Sequence, residues 1–174
     1  NKSKGFHIFG ETKIKILEKF SDWNAVVYGN EQRETFSFKH KRLKIYNWID
    51  HKKLLKIYEK CSISVVNPTW EEPFGRTALE CASRGCAVIT SKSGGLSETF
   101  KNNLILDHNN VNNLFKLISK LINKKKFLIK IQKINFNNLI HYPSKSVKKL
   151  NLLRSSTNTN LKNKVNFYKI LHIS

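Results

Sequence analysis

Residues 67–80, Asn67-Pro68-Thr69-Trp70-Glu71-Glu72-Pro73-Phe74-Gly75-Arg76-Thr77-Ala78-Leu79-Glu80, decide how this chain folds. They follow a short apolar run, Ile63-Ser64-Val65-Val66, with the length and β-branched content of a buried strand. They lead into a helical pattern that carries Ala78, Leu79 and Ala82 inward and stops at Gly85. A helix that begins at the mouth of a sheet presents unpaired backbone N–H groups and the positive end of its dipole to the crevice, which suits a diphosphate. Gly75, with no Cβ, lets phosphate oxygens approach the main chain, so the amides of Gly75, Arg76 and Thr77 are the expected donors. Glu72 precedes the helix start, and Glu80 follows it by about 7 to 8 Å along the axis. With a diphosphate at Gly75, Glu80 can accept from ribose hydroxyls on one side. Glu72 can accept from hydroxyls of a transferred sugar on the other.

Working outward, helices and strands alternate. Apolar positions from Lys4 to Phe20 share a helical face, and Trp23 to Tyr28 reads as a strand stopped by Gly29. A polar connection, Asn30 to Lys41, leads to a strand over Leu43 to Trp48, and Asp50 is placed to cap a helix carrying Leu54, Leu55, Tyr58 and Cys61. Beyond the central segment, Cys86 to Thr90 is a continuous apolar run of the kind covered on both faces in a parallel sheet. Gly94-Gly95 turns the chain, Ser97 is placed to cap a short helix, Leu104 to Leu106 reads as a last strand, and Val111 to Ile122 as a helix. The fold class is therefore α/β, a Rossmann-like, doubly wound parallel sheet with ligands beyond the carboxyl ends of its strands. Residues 1–123 are read as this nucleotide-sugar-binding domain and residues 124–174 as a basic, helical and partly disordered tail. Within that tail, Phe127 to Leu139 and Val147 to Leu153 are candidate helices, while Ser155 to Asn166 has no apolar period.

Composition sets the outer limits. The 174 residues, 40% of them hydrophobic, are enough for one domain with a real core. Thirty-two Lys and Arg against 12 Asp and Glu give a formal charge of +20. That excess favours phosphate-rich partners or an anionic membrane surface, although a solvated basic surface rich in Lys, Asn and Ile accounts for it as well. Nucleic acid is the least favoured of these partners. No apolar run approaches the roughly 20 residues needed to cross a bilayer, and no signal-peptide centre is seen. Cys61, Cys81 and Cys86 are odd in number and lack metal or disulfide spacing, so they read as buried hydrophobes in a reducing compartment, with cytoplasm as the default. The six histidines are scattered, which gives no case for a metal site.

At Glu72-Pro73-Phe74-Gly75 through Leu79-Glu80 the sequence resembles the retaining GT-B glycosyltransferases of family four, the "glycosyl transferases group 1" set, marked by two glutamates with seven residues between them around a Phe-Gly. Gly85 to Ser91, Gly94-Gly95-Leu96-Ser97-Glu98 and Lys4-Gly5 resemble further family segments, in the family's order, between Lys4 and Ile122. The resemblance implies the C-terminal, donor-binding half of a GT-B fold, with the N-terminal acceptor domain absent. It places Glu72 on the donor sugar, Glu80 on the ribose, and Lys4 with the Phe74, Gly75, Arg76 and Thr77 backbone on the phosphates. Glu72 and Lys4 become the catalytic candidates; Trp48, Ile49 and Gly95 are further possible donor contacts. Cys86 stands where the family often has proline, and the arginine usually found before Lys-Gly lies ahead of the first residue here.

The implied reaction is transfer of a sugar from a nucleoside diphosphate to an acceptor hydroxyl with retention, in polysaccharide or cell-envelope synthesis, at the cytoplasmic face of a membrane or free in the cytoplasm. The only small molecule it calls for is the donor substrate, with no cofactor and no metal: amides and Lys4 would stabilise the leaving diphosphate, and there is no Asp-x-Asp sequence. The absence of methionine and the opening at Asn1 lead to the expectation of a fragment with little activity alone. A basic nucleic-acid-binding protein and an inactive remnant stay open as alternatives. Glu98 reads equally as a ligand or a first-turn residue, and Trp70 and Phe74 as packing or as sugar-pocket walls.

Overall fold

The computed structural model describes residues 2–29, 38–46, 48–99 and 104–138. Among these residues lie six helices and four strands, in the order α1 (Phe6–Lys19), β1 (Ala25–Tyr28), β2 (Leu43–Tyr46), α2 (His51–Tyr58), β3 (Ile63–Val66), α3 (Arg76–Ser83), β4 (Ala87–Thr90), α4 (Leu96–Thr99), α5 (Val111–Asn123) and α6 (Lys125–Asn138). The candidate helix at Val147 to Leu153 and the polar stretch after it lie outside the described residues.

Strand pairing is parallel throughout. β1 pairs with β2 in the register Ala25↔Leu43 to Tyr28↔Tyr46, and β3 with β4 from Ile63↔Ala87 to Val66↔Thr90. Side chains alternate across these strands and build two cores. On one face Val27, Ile63, Val65, Ala87 and Ile89 meet Phe9 and Ile16 of α1 and Leu114 and Ile118 of α5. On the other, Val26, Val66 and Val88 meet Tyr58 of α2 and Ala78, Cys81 and Ala82 of α3. Helices on both faces of a parallel sheet are the doubly wound, Rossmann-like arrangement expected from the alternation. All three cysteines are buried. Burial pushes the Cys81 thiol up, and Ser64 Oγ donates to its Sγ at 3.1 Å.

Three local readings differ from the sequence. Leu104 to Leu106 forms a single bridge, Ile105 opposite Thr90, held by Thr90 N–H to Leu104 O at 3.1 Å and Leu106 N–H to Thr90 O at 2.8 Å. The apolar triplet is too short for a ladder once Asp107 turns the chain away. Ser97 does not cap α4; the Leu96 amide already bonds Ser93 O at 3.3 Å, so the helix opens one residue earlier and Ser97 Oγ donates back to Gly94 O at 3.4 Å. β2 ends at Tyr46, leaving Trp48 87% exposed.

Asp50 does cap α2, its Oδ1 accepting from the amides of Lys52 (3.0 Å) and Lys53 (3.2 Å). α6 packs on β4, α3 and α5, placing Leu128 and Ile131 in the first core. Its Gln132 and Asn135 side chains donate to Ser62 O (3.1 Å) and Cys86 O (3.3 Å) at the foot of β3 and β4.

Candidate functional site

β3 ends at Val66, and the chain crosses residues 67–75 before α3 starts. This loop is held from below. The Pro68 carbonyl accepts from Ser91 Oγ (3.0 Å), Ser93 Oγ (2.8 Å) and Asn109 Nδ2 (3.1 Å). Asn109 Nδ2 also donates to Asn67 O at 3.0 Å, and Asn67 Nδ2 returns a bond to Asn109 Oδ1 at 3.0 Å. Gly95 lies under the Pro73 carbonyl so closely that a Cβ there would overlap it. From the other side, the Thr69 amide bonds Ser3 O at 2.8 Å and Thr69 Oγ1 bonds Lys2 O at 2.9 Å, which fixes the turn before α1 against the loop.

That staple brings Lys4 over the loop. Its Nζ lies 3.1 Å from Glu72 Oε2 and 5.2 Å from the centre of the Trp70 ring. The two side chains are 43% and 18% exposed, so the carboxylate is the more sheltered partner. Lys4, Asn67, Trp70, Glu72 and Phe74 line a cleft of about 430 Å³ together with Gly75, Arg76 and Thr77 at the opening of α3. α3 begins there without a side-chain cap, so its first amides face the cleft end with no acceptor inside the helix. Gly75 is in the left-handed region at φ 72°, and a Cβ on it would strike Leu96 Cδ1. Packing alone therefore calls for glycine at this position.

The structure thus brings Lys4, Glu72, Phe74, Gly75, Arg76 and Thr77 to one cleft. Two cations, one sheltered carboxylate and the positive end of a helix dipole meet there, which is chemistry for a polyanion attached to a hydroxyl-bearing group. Glu80 lies outside that lining, four residues after Arg76 and so about 6 Å further along α3. Its Oε1 is 3.1 Å from His51 Nε2, which ties it to the first residue of α2. Trp48 and Ile49 precede that residue and do not line the cleft; Gly95 supports the loop from beneath. The side chain of Glu98 is outside the described residues.

Several contributors gave no local signal in sequence. Asn109, Ser91 and Ser93 act on the loop from other elements. His51 meets Glu80 across the gap between α2 and α3. Tyr28 and Tyr46, the last residues of β1 and β2, stack at 4.9 Å with planes 13° apart. Burial, then Tyr46 and Cys61, push the Tyr28 phenol up. A tyrosine closing each of two neighbouring strands was the available hint.

Comparison with known proteins bears on the family and the fold. The sequence pattern of the family described as Glycosyl transferases group 1 matches residues 1–137. Among solved structures, Anabaena HepE in complex with UDP-glucose superposes with a TM-score of 0.69 at 18% identity, over 91% of this chain and 46% of that one. A sucrose-phosphate synthase from Thermosynechococcus elongatus gives 0.62 at 20% identity, over 94% and 43%. Sucrose-phosphate synthase of Zea mays is 25% identical over 117 residues, 66% of this chain but 10% of the relative. The chain thus spans about a tenth of that curated relative and under half of either solved structure. The fold it shares with them is the Rossmann-like half of a GT-B glycosyltransferase. With the greater part of its length matched, the chain belongs to the glycosyl transferases group 1 family.

Proposed function

We propose that this domain binds the nucleoside diphosphate sugar of a glycosyl transfer that proceeds with retention, and that a second domain carries the acceptor. What supports the reading is the convergence of Lys4, Glu72 and the first turn of α3 on one cleft. The diphosphate lies on the amides of Gly75, Arg76 and Thr77, where a helix N-terminus is worth most to an anion. Glu72 accepts from hydroxyls of the sugar. An ammonium has three donors, so Lys4 can keep Glu72 while bonding a phosphate oxygen, joining the sugar and phosphate ends of the donor. Negative charge builds on the leaving diphosphate as the glycosidic bond breaks, and the same amides and Lys4 stabilise it there. Glu80 takes the ribose hydroxyls, with Trp48 and Ile49 beyond it toward the base. The UDP-glucose held by HepE makes a sugar nucleotide the first donor class to try.

Thermal melting against UDP, GDP and ADP tests this. A saturable rise with one base is expected, amounting to about 2.7 kcal/mol at a hundredfold excess over Kd. Glu80→Ala should abolish the rise without lowering the ligand-free midpoint. Equal midpoints with and without every nucleotide would count against the proposal. Retention is read separately, from the anomer of the product formed once an acceptor domain is supplied; an inverted anomer would refute it.

A further inference from the structure

Charge is distributed unevenly along this chain. All 12 carboxylates lie at or before Asp107, whereas 14 of the 32 basic residues follow it. The structure gives that asymmetry a surface. On α5, Lys116 and Lys120 are one turn apart and exposed; on α6, Lys126, Lys130 and Lys133 are spaced i, i+4, i+7 and exposed. Each set therefore forms a stripe along its helix. The two helices pack together, and Lys120 Nζ sits 4.9 Å from the centre of the Phe127 ring, which brings the end of the α5 stripe beside the start of α6. None of these five lysines takes part in the ion pairs found among the described residues. Half-buried Phe127 and Ile134, one and eight positions after Lys126, border the α6 stripe.

We infer that the α5–α6 face docks on an anionic lipid surface. A stripe of uncompensated ammonium groups over apolar side chains is what lies flat at a headgroup boundary, the stems reaching into it and the charges meeting lipid phosphate. The face uses lysine alone, without the arginine forks that grip nucleic-acid phosphates in pairs. Its rings are half covered rather than offered for base stacking. No helix among the described residues is long and apolar enough to cross a membrane, so the attachment is peripheral and electrostatic. The docking face lies away from the cleft, being built by α5 and α6 and not by the loop before α3. Donor binding and lipid binding are consequently separable.

Sedimentation of the chain with vesicles tests it. Binding to phosphatidylcholine vesicles containing phosphatidylglycerol is expected, with none to phosphatidylcholine alone and release by added salt. The triple variant Lys126→Glu, Lys130→Glu, Lys133→Glu should lower partitioning by about a hundredfold or more, each lysine near such a surface being worth roughly a fivefold factor. Its melting midpoint and its response to nucleoside diphosphates should match the parent's, since all three side chains are exposed. Equal binding to neutral vesicles, or no binding to either kind, would overturn the inference. So would a triple variant that binds like the parent, or a duplex RNA that strips the chain from the vesicles at matched phosphate concentration.

Discussion

Gly75 is held to glycine by packing, whatever the proposed diphosphate adds. Its φ of 72° is costly for any residue with a Cβ, and that Cβ would collide with Leu96. Gly75→Ala should therefore lower stability by about 2 kcal/mol or more and weaken nucleotide binding with it, read by denaturant melts and titration. Lys13 is a different case. Its side chain is buried, its Nζ has no hydrogen-bond partner among the described residues, and it faces the rings of Phe6, Phe38 and Phe9 at 4.6, 5.2 and 5.4 Å. Burial lowers its pKa from 10.5 to about 7, so desolvation outweighs the attraction of the rings. Between those two values the unfolded chain holds a proton that the folded chain has released. Stability from this group therefore rises as pH climbs from about 7 toward 10.5, and the cost is largest below 7. Lys13→Met should remove that slope and stabilise the chain at pH 6 by about 1 to 4 kcal/mol, checked by melts across pH.

At the scale of elements, the cleft depends on what holds the 67–75 loop. Asn109, just before α5, makes three hydrogen bonds to Asn67 and Pro68. Asn109→Ala should cost about 1 to 3 kcal/mol and raise the Kd for nucleotide with little change in base preference, because it touches the scaffold and not the ligand. The sequence foretold the elements whose signals are local. Asp50 before an amphipathic stretch is a cap on sight, and it caps α2. Glu72, Pro73 and Gly75 between an apolar run and a helical period mark the strand-to-helix turn, and the turn is there. Interactions between distant segments left no such trace. Arg42 reaches back to the carbonyls of Phe20 and Trp23, both at 2.7 Å, and to that of Leu17, closing the end of α1 against β1. His51 and Glu80 are 29 positions apart. Neither pairing follows from a period or a spacing. Leu104 to Leu106 erred the other way, because an apolar triplet satisfies a strand pattern without the length to extend a ladder.

Across the whole molecule, two parallel strand pairs, helices on both faces and a cleft at the strand ends give the Rossmann-like fold shared with GT-B glycosyltransferases. Under the proposed function this fold binds the donor, and a second domain presents the attacking hydroxyl. The isolated chain should accordingly bind a nucleoside diphosphate while giving no detectable transfer, and transfer should depend on restoring that domain. The central claim is narrower: the first amides of α3 hold a diphosphate. Titrating UDP, GDP and ADP into ¹⁵N-labelled protein and following the amide resonances of Gly75, Arg76 and Thr77 tests it most directly. The account predicts that these three shift saturably with one of the nucleotides and stay still in the presence of the free nucleoside. Resonances that do not move, or that move only at lysines remote from the cleft, would contradict it.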